Sequence, residues 1–176
     1  IFELSNFFPR LKSLNSIRSG NISKNKNQSI LQKIIFFMRG NLFIPDMKIF
    51  WKRNSVNFLE NYISENNIET IVTTGPPHSL HLIGLELKRK LNIKWISDFR
   101  DPWVNLNYLN RFHLMPSVKK FHKKLRDKVI NNSDAVIVTS KRLKELYSKI
   151  NSNIFQVTNG YDYNKPVIKL DKKFSI

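Results

Sequence analysis

The densest group of chemically capable side chains lies in Lys94–Asn105, KWISDFRDPWVN. A strand-like apolar run leads there directly into Asp98, Arg100, Asp101 and Trp103. A carboxylate at this point could orient a substrate hydroxyl, Arg100 could hold an anionic or polar ligand, and Trp103 could form a wall. A structural role is the alternative, because Arg100 between two aspartates could fix the loop by ion pairs.

A second candidate lies in Thr73–Ser79, TTGPPHS, where a predicted strand ends and a predicted helix begins. Gly75 permits a close approach of the backbone to a ligand, and Pro76 and Pro77 stiffen the turn. His78 stands at the helix start, beside free backbone N–H groups that favour anions. The stretch is not a P-loop, since it has no second glycine and no Lys-Ser or Lys-Thr pair. An ordinary Gly-Pro-Pro turn is the alternative.

Two further predicted strands end in residues with simpler explanations. Ser140 is of the type that caps helix N-termini, so a structural role is favoured over a ligand contact. Asn159 and Gly160 form a turn signal before a closing proline, which explains the pair without any ligand. Ser140 and the Asn159–Gly160 turn nevertheless fall at the edge of the predicted sheet, where they could contact a ligand.

The four histidines do not form an obvious metal site. His78 and His81 are spaced i, i+3 on one predicted helix, but no third ligand is near them in sequence. His113 and His122 lie in a basic stretch, which predicts surface positions for both. The sequence contains no cysteine, so disulfides and thiolate ligands are excluded within it. We therefore expect neither a metal nor another cofactor.

The elements that position these residues alternate regularly between strand and helix. Short β-branched runs predict four strands, and amphipathic stretches between them predict helices. This alternation predicts an α/β fold, a Rossmann-like parallel sheet with helices on both faces. Right-handed crossovers place the carboxyl end of every strand at one edge, where ligands bind in open sheets. The predicted strands are Glu69–Thr74, Ile93–Ser97, Asp134–Ser140 and Asn153–Asn159.

The spacing of apolar residues also predicts which faces of the helices are buried. Each predicted face recurs at intervals of three or four residues, and the helix that begins at Pro116 has a lysine-rich outer face. The predicted inward sets are Trp51, Ser55, Leu59 and Tyr62 with Ile63, then Leu80, Ile83, Leu87 and Leu91, and finally Val118, Phe121, Leu125 and Val129.

The chain carries a formal net charge of +17, from 30 Lys and Arg against 13 Asp and Glu. This excess predicts attraction to anions such as nucleic acid, phosphorylated sugars or an anionic membrane face. A compositional bias toward Lys, Asn and Ile is the alternative, since it would raise the charge without any selected partner. No apolar run approaches the roughly 20 residues needed to span a bilayer.

These motifs, taken in order, resemble the N-terminal half of family 4 glycosyltransferases, which have the GT-B fold. The resemblance is carried by TTGPPHSLHLIGLELKRKL, KWISDFRDPW, NNSDAVIVTSKRLKEL and VTNGYD, and it covers roughly Gly40 to Asp162. The most similar enzymes assemble bacterial cell-surface polysaccharides. The resemblance implies two Rossmann-like domains facing a cleft, with this chain as the acceptor-side half. It also implies sugar transfer with retention of configuration and without a metal.

The resemblance assigns roles to the residues at the strand ends. Asp98 and Asp101 become the catalytic candidates, one of which orients the acceptor hydroxyl. Asp101 is preferred, because Asp98 could simply hold Arg100. The substrate-binding candidates are Gly75, His78, Arg100, Trp103, Ser140, Asn159 and Gly160.

The implied partners are a nucleotide-sugar donor and a saccharide or lipid-linked acceptor. The resemblance and the charge together imply a cytoplasmic protein with peripheral contact to the anionic inner membrane face. Nucleic acid is not favoured, since the lysines are dispersed in sequence and no recognised nucleic-acid module is present. Two rival functions stay open: a basic α/β nucleic-acid-binding domain and a non-catalytic sugar-binding module.

The predicted organisation has three parts. Residues 1–45 form an irregular, partly helical segment, residues 46–165 form the acceptor-side domain, and residues 166–176 lead into a nucleotide-sugar-binding domain. Relatives open with a strand and a Gly-rich loop, which nothing before Ile30 resembles. We therefore expect a fragment of a longer enzyme, incomplete at the N-terminus of its domain and inactive in transfer on its own.

Overall fold

The computed structural model describes residues 30–103 and 112–160. These residues form a Rossmann-like α/β fold around a four-stranded parallel sheet with the strand order β1-β2-β3-β4. The α/β class and the parallel sheet that the strand–helix alternation predicts are therefore confirmed. The strands are β1 Thr70–Gly75, β2 Lys94–Phe99, β3 Ala135–Val138 and β4 Ile154–Gln156.

Five α-helices and a short 3-10 helix accompany the strands in the described part of the chain. None of these helices is long and apolar enough to cross a membrane. The chain divides into two compact units after Ile34, and the sheet belongs to the second. The predictions for residues 1–29 and 161–176 lie outside the described residues. The helices are α1 Ile30–Leu42, α2 Trp51–Glu65, α3 Ser79–Leu91, α4 Pro116–Asn132 and α5 Lys141–Tyr147, and the 3-10 helix is Met47–Phe50.

Successive side chains along each strand point to opposite faces of the sheet, and those on one face are buried against the described helices. Consecutive strand order with right-handed crossovers places α3, α4 and α5 on the same face of the sheet, so the described helices do not meet the prediction of helices on both faces. On the opposite face, Val72 is 58% exposed and Phe155 is 51% exposed. The main buried cluster accordingly combines strand and helix residues of one face, namely Trp95, Phe99, Val136, Val138 and Ile154 with Leu82, Val129, Ile130, Leu143 and Tyr147.

The predicted inward face of α2 is right for Leu59 and Ile63 and wrong for Trp51 and Tyr62. Val56 and Ile63 are buried against α3, whereas Trp51 and Tyr62 are exposed. Trp51 instead lies under the Lys48 ammonium, which is 3.9 Å from the ring centroid. The helix has apolar residues on two sides, so spacing alone could not select the side that faces α3.

The inward face of α4 also differs from the prediction. Val118 and Val129 are buried as expected, but Phe121 is 47% exposed. Two polar residues, His122 and Arg126, are buried in its place. Each has a partner that the apolar pattern cannot indicate, because burial of a polar group depends on a hydrogen bond or an ion pair.

Candidate functional site

The carboxyl ends of β1, β2 and β3 are tied together by the loop that follows β2. The Arg100 backbone N–H donates to the Gly75 carbonyl at 3.0 Å, and Arg100 Nη2 donates to the Pro76 carbonyl at 3.1 Å. From the other side, the Thr139 hydroxyl donates to the Arg100 carbonyl at 2.9 Å. These bonds hold Arg100 at the carboxyl edge of the sheet, where the residue is exposed.

A groove of about 500 Å³ opens between the loops that follow β2 and β3. Arg100 and Asp101 line it from the first loop, and Thr139 and Ser140 line it from the second. Ser140 also caps α5 by accepting a hydrogen bond from the Leu143 N–H, which confirms the predicted N-cap. Small-molecule sites usually have volumes of about 300–1,000 Å³. The remaining lining residues are Pro102, Arg142, Leu143, Glu145, Leu146 and Lys149.

The two candidate carboxylates occupy different places. Asp101 is exposed and lines the groove. Asp98 is half-buried on β2, in register with Thr74 and Ile137, and does not line the groove. Within residues 30–103 and 112–160, Arg100 forms no ion pair with either aspartate. The ion-paired loop that was the structural alternative is therefore not formed by these residues.

A separate cavity of about 290 Å³ lies at the carboxyl end of β1. His78 and Trp103 form part of its wall, with their rings stacked at a centroid separation of 4.8 Å and an interplanar angle of 4°. His78 is 6% exposed and Trp103 is 2% exposed, so both rings belong to the interior. The cavity is completed by Pro45, Asp46, Pro76, Pro77 and His122.

Asp46 occupies the N-terminus of α3, which corrects the expectation of a free anion site at His78. Its Oδ2 accepts a hydrogen bond from the Ser79 N–H at 2.9 Å, and its Oδ1 accepts from the Ser79 hydroxyl at 2.8 Å. Oδ1 also accepts from the Lys48 N–H at 2.9 Å and so caps the 3-10 helix. A carboxylate from this chain thereby takes the position that an anionic ligand would otherwise favour.

The buried histidines next to this cap are neutral. Burial lowers the pKa of His78 to about 4, although the Asp46 carboxylate acts in the opposite direction. Burial also lowers the pKa of His81 to about 3, and the nearby His78 adds to the effect. Neither ring nitrogen of His78, nor Nε2 of His81, has a hydrogen-bond partner among the described residues. Buried polar atoms without partners are uncommon and mark places where a bound molecule could supply one.

The glycine at the end of β1 is required by these rings. A Cβ on Gly75 would lie 2.5 Å from His81 Nε2 and 2.8 Å from His78 Nδ1, which is closer than real contacts allow. The predicted close approach at Gly75 is thus an approach to two histidines. His81 is also fixed by Thr73, whose hydroxyl oxygen lies 2.9 Å from His81 Nδ1. The same oxygen accepts a hydrogen bond from Trp95 Nε1 at 2.8 Å.

His122 is buried, so its predicted surface position is wrong, whereas His113 is exposed as expected. Trp103 Nε1 donates to His122 Nδ1 at 3.2 Å. An indole N–H can only donate, so Nδ1 of His122 is unprotonated and its ring hydrogen is on Nε2. Burial also lowers the pKa of His122, which keeps this tautomer neutral.

The structure therefore divides the predicted site residues into three groups. Arg100, Asp101 and Ser140 share the groove, while His78 and Trp103 share the cavity, with Gly75 packed behind them. Asn159 and Gly160, which are exposed beyond β4, line neither space, and the same is true of Asp98 on β2. Nothing lies within 4 Å of a Cβ on Gly160. Two polar residues of the cavity were not predicted as site residues, namely Asp46 and His122.

A local signal exists for one of these two residues. Asp46 follows a proline immediately before a helical stretch, and aspartate is a preferred N-cap residue. Its bond to Ser79 spans 33 positions, however, and no local pattern indicates that contact.

No group of three or more His, Asp or Glu residues suited to a metal ion occurs within the described ranges. Comparison of the chain with protein-family models, with curated proteins and with solved structures found no match.

Proposed function

We propose that this chain is the acceptor-side domain of a glycosyltransferase that uses a nucleotide-sugar donor. The observation that carries the proposal is the groove at the carboxyl edge of the sheet, lined by Arg100, Asp101 and Ser140. Ligands of open parallel sheets bind at this edge. The resemblance of the motifs to family 4 glycosyltransferases supplies the reaction, and the groove supplies a place for the acceptor.

The reaction joins an acceptor hydroxyl oxygen to the anomeric carbon of the donor sugar. The bond between that carbon and the diphosphate oxygen breaks, and the hydroxyl proton passes to the departing nucleoside diphosphate. The Asp101 carboxylate lines the groove and has no hydrogen-bond or ion-pair partner among the described residues, so it would accept a hydrogen bond from the acceptor hydroxyl and orient the oxygen for attack. Asp98 does not line the groove, so Asp101 is the catalytic candidate that we retain.

Arg100 is suited to the polar or anionic part of a substrate. Its main-chain carbonyl and N–H are both hydrogen-bonded, and one guanidinium N–H donates to the Pro76 carbonyl. A guanidinium has five N–H donors, so most of them are available to a phosphate or to sugar hydroxyls.

The proposal is tested by sugar transfer in membranes of the source cells, with the gene deleted and then restored. Incorporation of labelled sugar from a panel of nucleotide-sugars into lipid-linked or polysaccharide products is measured. We expect deletion to abolish one transfer and Asp101→Asn to reduce it at least about 100-fold, as loss of a positioning group does. Lys141→Gln, an exposed change outside the lining of the groove, is the matched control. Wild-type transfer by Asp101→Asn would remove that residue from the mechanism.

Nucleic-acid binding is a second candidate, and one observation favours it. The lysines of α4, from Lys119 to Lys128, are all exposed on the outer face of that helix, as its sequence predicts. Such a row is typical of contact with a phosphate backbone. Fluorescence anisotropy with labelled duplex and single-stranded oligonucleotides decides between the two candidates. Binding that weakens steeply with salt, together with no sugar transfer, would favour the nucleic-acid candidate.

A further inference from the structure

The outer face of α4 carries an uncompensated row of positive charge, which we call the lysine face. None of its side chains forms an ion pair with a described residue. The single acidic residue of the helix, Asp127, bonds the buried Arg126 at 2.6 Å instead. The lysine face consists of Lys119, Lys120, Lys123, Lys124 and Lys128, all of them exposed.

Lysines on the neighbouring helices are treated differently. Lys88 on α3 pairs with Asp134, and Lys90 on the same helix pairs with Glu60 of α2. Those cations are neutralised within the fold, whereas the five lysines of the lysine face are not.

The arrangement of the lysine face opposes the stability of its own helix. Lys119 and Lys123 are spaced i, i+4, as are Lys120 and Lys124, and like charges at this spacing repel each other. Lys119 and Lys120 also lie near the start of α4, where the helix dipole disfavours cations. An anionic partner that covers the lysines would offset this loss of helix stability.

Exposed apolar side chains lie beside the lysine face. Phe121 lies among the lysines and is 47% exposed, and Met115 is exposed just before the helix. The Asn41 side chain accepts a hydrogen bond from the Met115 N–H at 2.8 Å, which holds the end of α1 against the start of α4. The next residue of α1, Leu42, is also exposed. Positive charge and exposed apolar groups therefore meet at this corner of the fold.

We propose that the lysine face and these apolar side chains dock on an anionic phospholipid bilayer. Lysines attract the headgroups, and Phe121, Met115 and Leu42 enter the boundary between headgroups and acyl chains. Nucleic acid would satisfy the lysines but offers no hydrocarbon to the apolar side chains, so a lipid surface fits both observations better. The inference rests on this surface alone and does not depend on the proposed transfer reaction.

Vesicle co-sedimentation of the full chain tests the proposal. The probes are vesicles of phosphatidylcholine alone and vesicles that also contain phosphatidylglycerol, each at low and high salt. Lys120→Gln with Lys124→Gln neutralises two positions of the lysine face. Lys141→Gln with Lys144→Gln on α5 is the matched control, because it removes the same charge from exposed lysines elsewhere. Phe121→Ala removes an apolar contact without changing the charge.

We expect binding only to the anionic vesicles, weaker at high salt. Each lysine at an anionic surface contributes about 1 kcal/mol, so the α4 pair should lower the partition coefficient about 30-fold. The α5 pair should lower it far less, and Phe121→Ala should lower it several-fold without changing the salt dependence. The α4 pair should melt at or above the wild-type temperature, because it relieves the repulsion within the helix.

Three results would overturn the proposal. Equal losses from the α4 and α5 pairs would show that only net charge matters. Equal binding to vesicles without phosphatidylglycerol would exclude recognition of anionic headgroups. Binding of a DNA duplex through the same lysines, with no binding to anionic vesicles, would assign the surface to nucleic acid.

Discussion

Lowering the pH from about 7 to about 5 should destabilise this fold through two buried histidines. The pKa values of His78 and His81 fall to about 4 and about 3 in the folded chain, against 6.5 for an unperturbed histidine. The unfolded chain therefore binds more protons than the folded chain between about pH 7 and about pH 3. The sign follows: stability is complete above pH 6.5 and is lost as the pH falls toward the folded pKa values.

The size of the effect follows from the same pKa values. At about pH 5, each unfolded histidine is almost fully protonated while each folded one stays neutral, which costs about 2 kcal/mol per residue. Together the pair should lower the free energy of unfolding by about 4 kcal/mol relative to pH 7. A domain has only about 5–15 kcal/mol of stability, so the loss is large. It corresponds to a fall of about 2 M in the urea midpoint.

Urea unfolding followed by circular dichroism at several pH values between 5 and 7 measures this effect. Carboxylates contribute little in this window, because the pKa values of Glu86 and Asp134 are lowered from values already below it. His78→Phe keeps a flat ring against Trp103 without a titrating group, and His81→Asn keeps a polar partner for Thr73. Each variant should lose about 2 kcal/mol of the pH dependence, and His122, whose pKa is also lowered by burial, accounts for what remains in the double variant.

A urea midpoint that stays constant between pH 7 and pH 5 would refute the reasoning. So would a double variant, His78→Phe with His81→Asn, whose midpoint falls with pH as steeply as that of the wild type. Either result would mean that the histidines are charged or solvated in the folded chain. Their burial beside the Asp46 cap would then need another explanation.

Two further predictions concern stability. Gly75→Ala should cost about 1–3 kcal/mol in urea unfolding, because its Cβ would collide with buried rings. Gly160→Ala is the control and should change stability by less than about 0.5 kcal/mol, since nothing lies near its Cβ. Asp46→Ala should cost about 2 kcal/mol, because the Ser79 N–H and hydroxyl lose their acceptor. Asp46→Asn keeps one acceptor oxygen and should cost less, and equal losses would contradict the capping role.

The fold class was predictable because the strands are short apolar runs that alternate with amphipathic stretches. The limits of β1 differ from the predicted Glu69–Thr74 by a single residue at each end. The faces of α2 and α4 were harder to predict, because those helices have apolar residues on more than one side. The burial of His122 depends on a bond to Trp103, 19 positions away, which no local pattern reveals.

The candidate site was predictable to a similar extent. The rule that carboxyl ends of parallel strands share an edge correctly brought Arg100, Asp101 and Ser140 to one groove. The rule could not separate Asp98 from Asp101, because β2 continues to Phe99, which keeps Asp98 within the strand and leaves Asp101 in the loop after it. It also could not reveal that Asp46, from before the sheet, occupies the helix start beside His78.

The central claim is that the carboxyl edge of the sheet binds a saccharide acceptor. Titration of the isotopically labelled chain with oligosaccharides, followed by amide chemical shifts, tests it most directly. We expect the shifts to concentrate at Arg100, Asp101, Thr139 and Ser140, and to disappear in Arg100→Ala. Shifts confined to the lysine face, or the same shifts in Arg100→Ala, would contradict the claim.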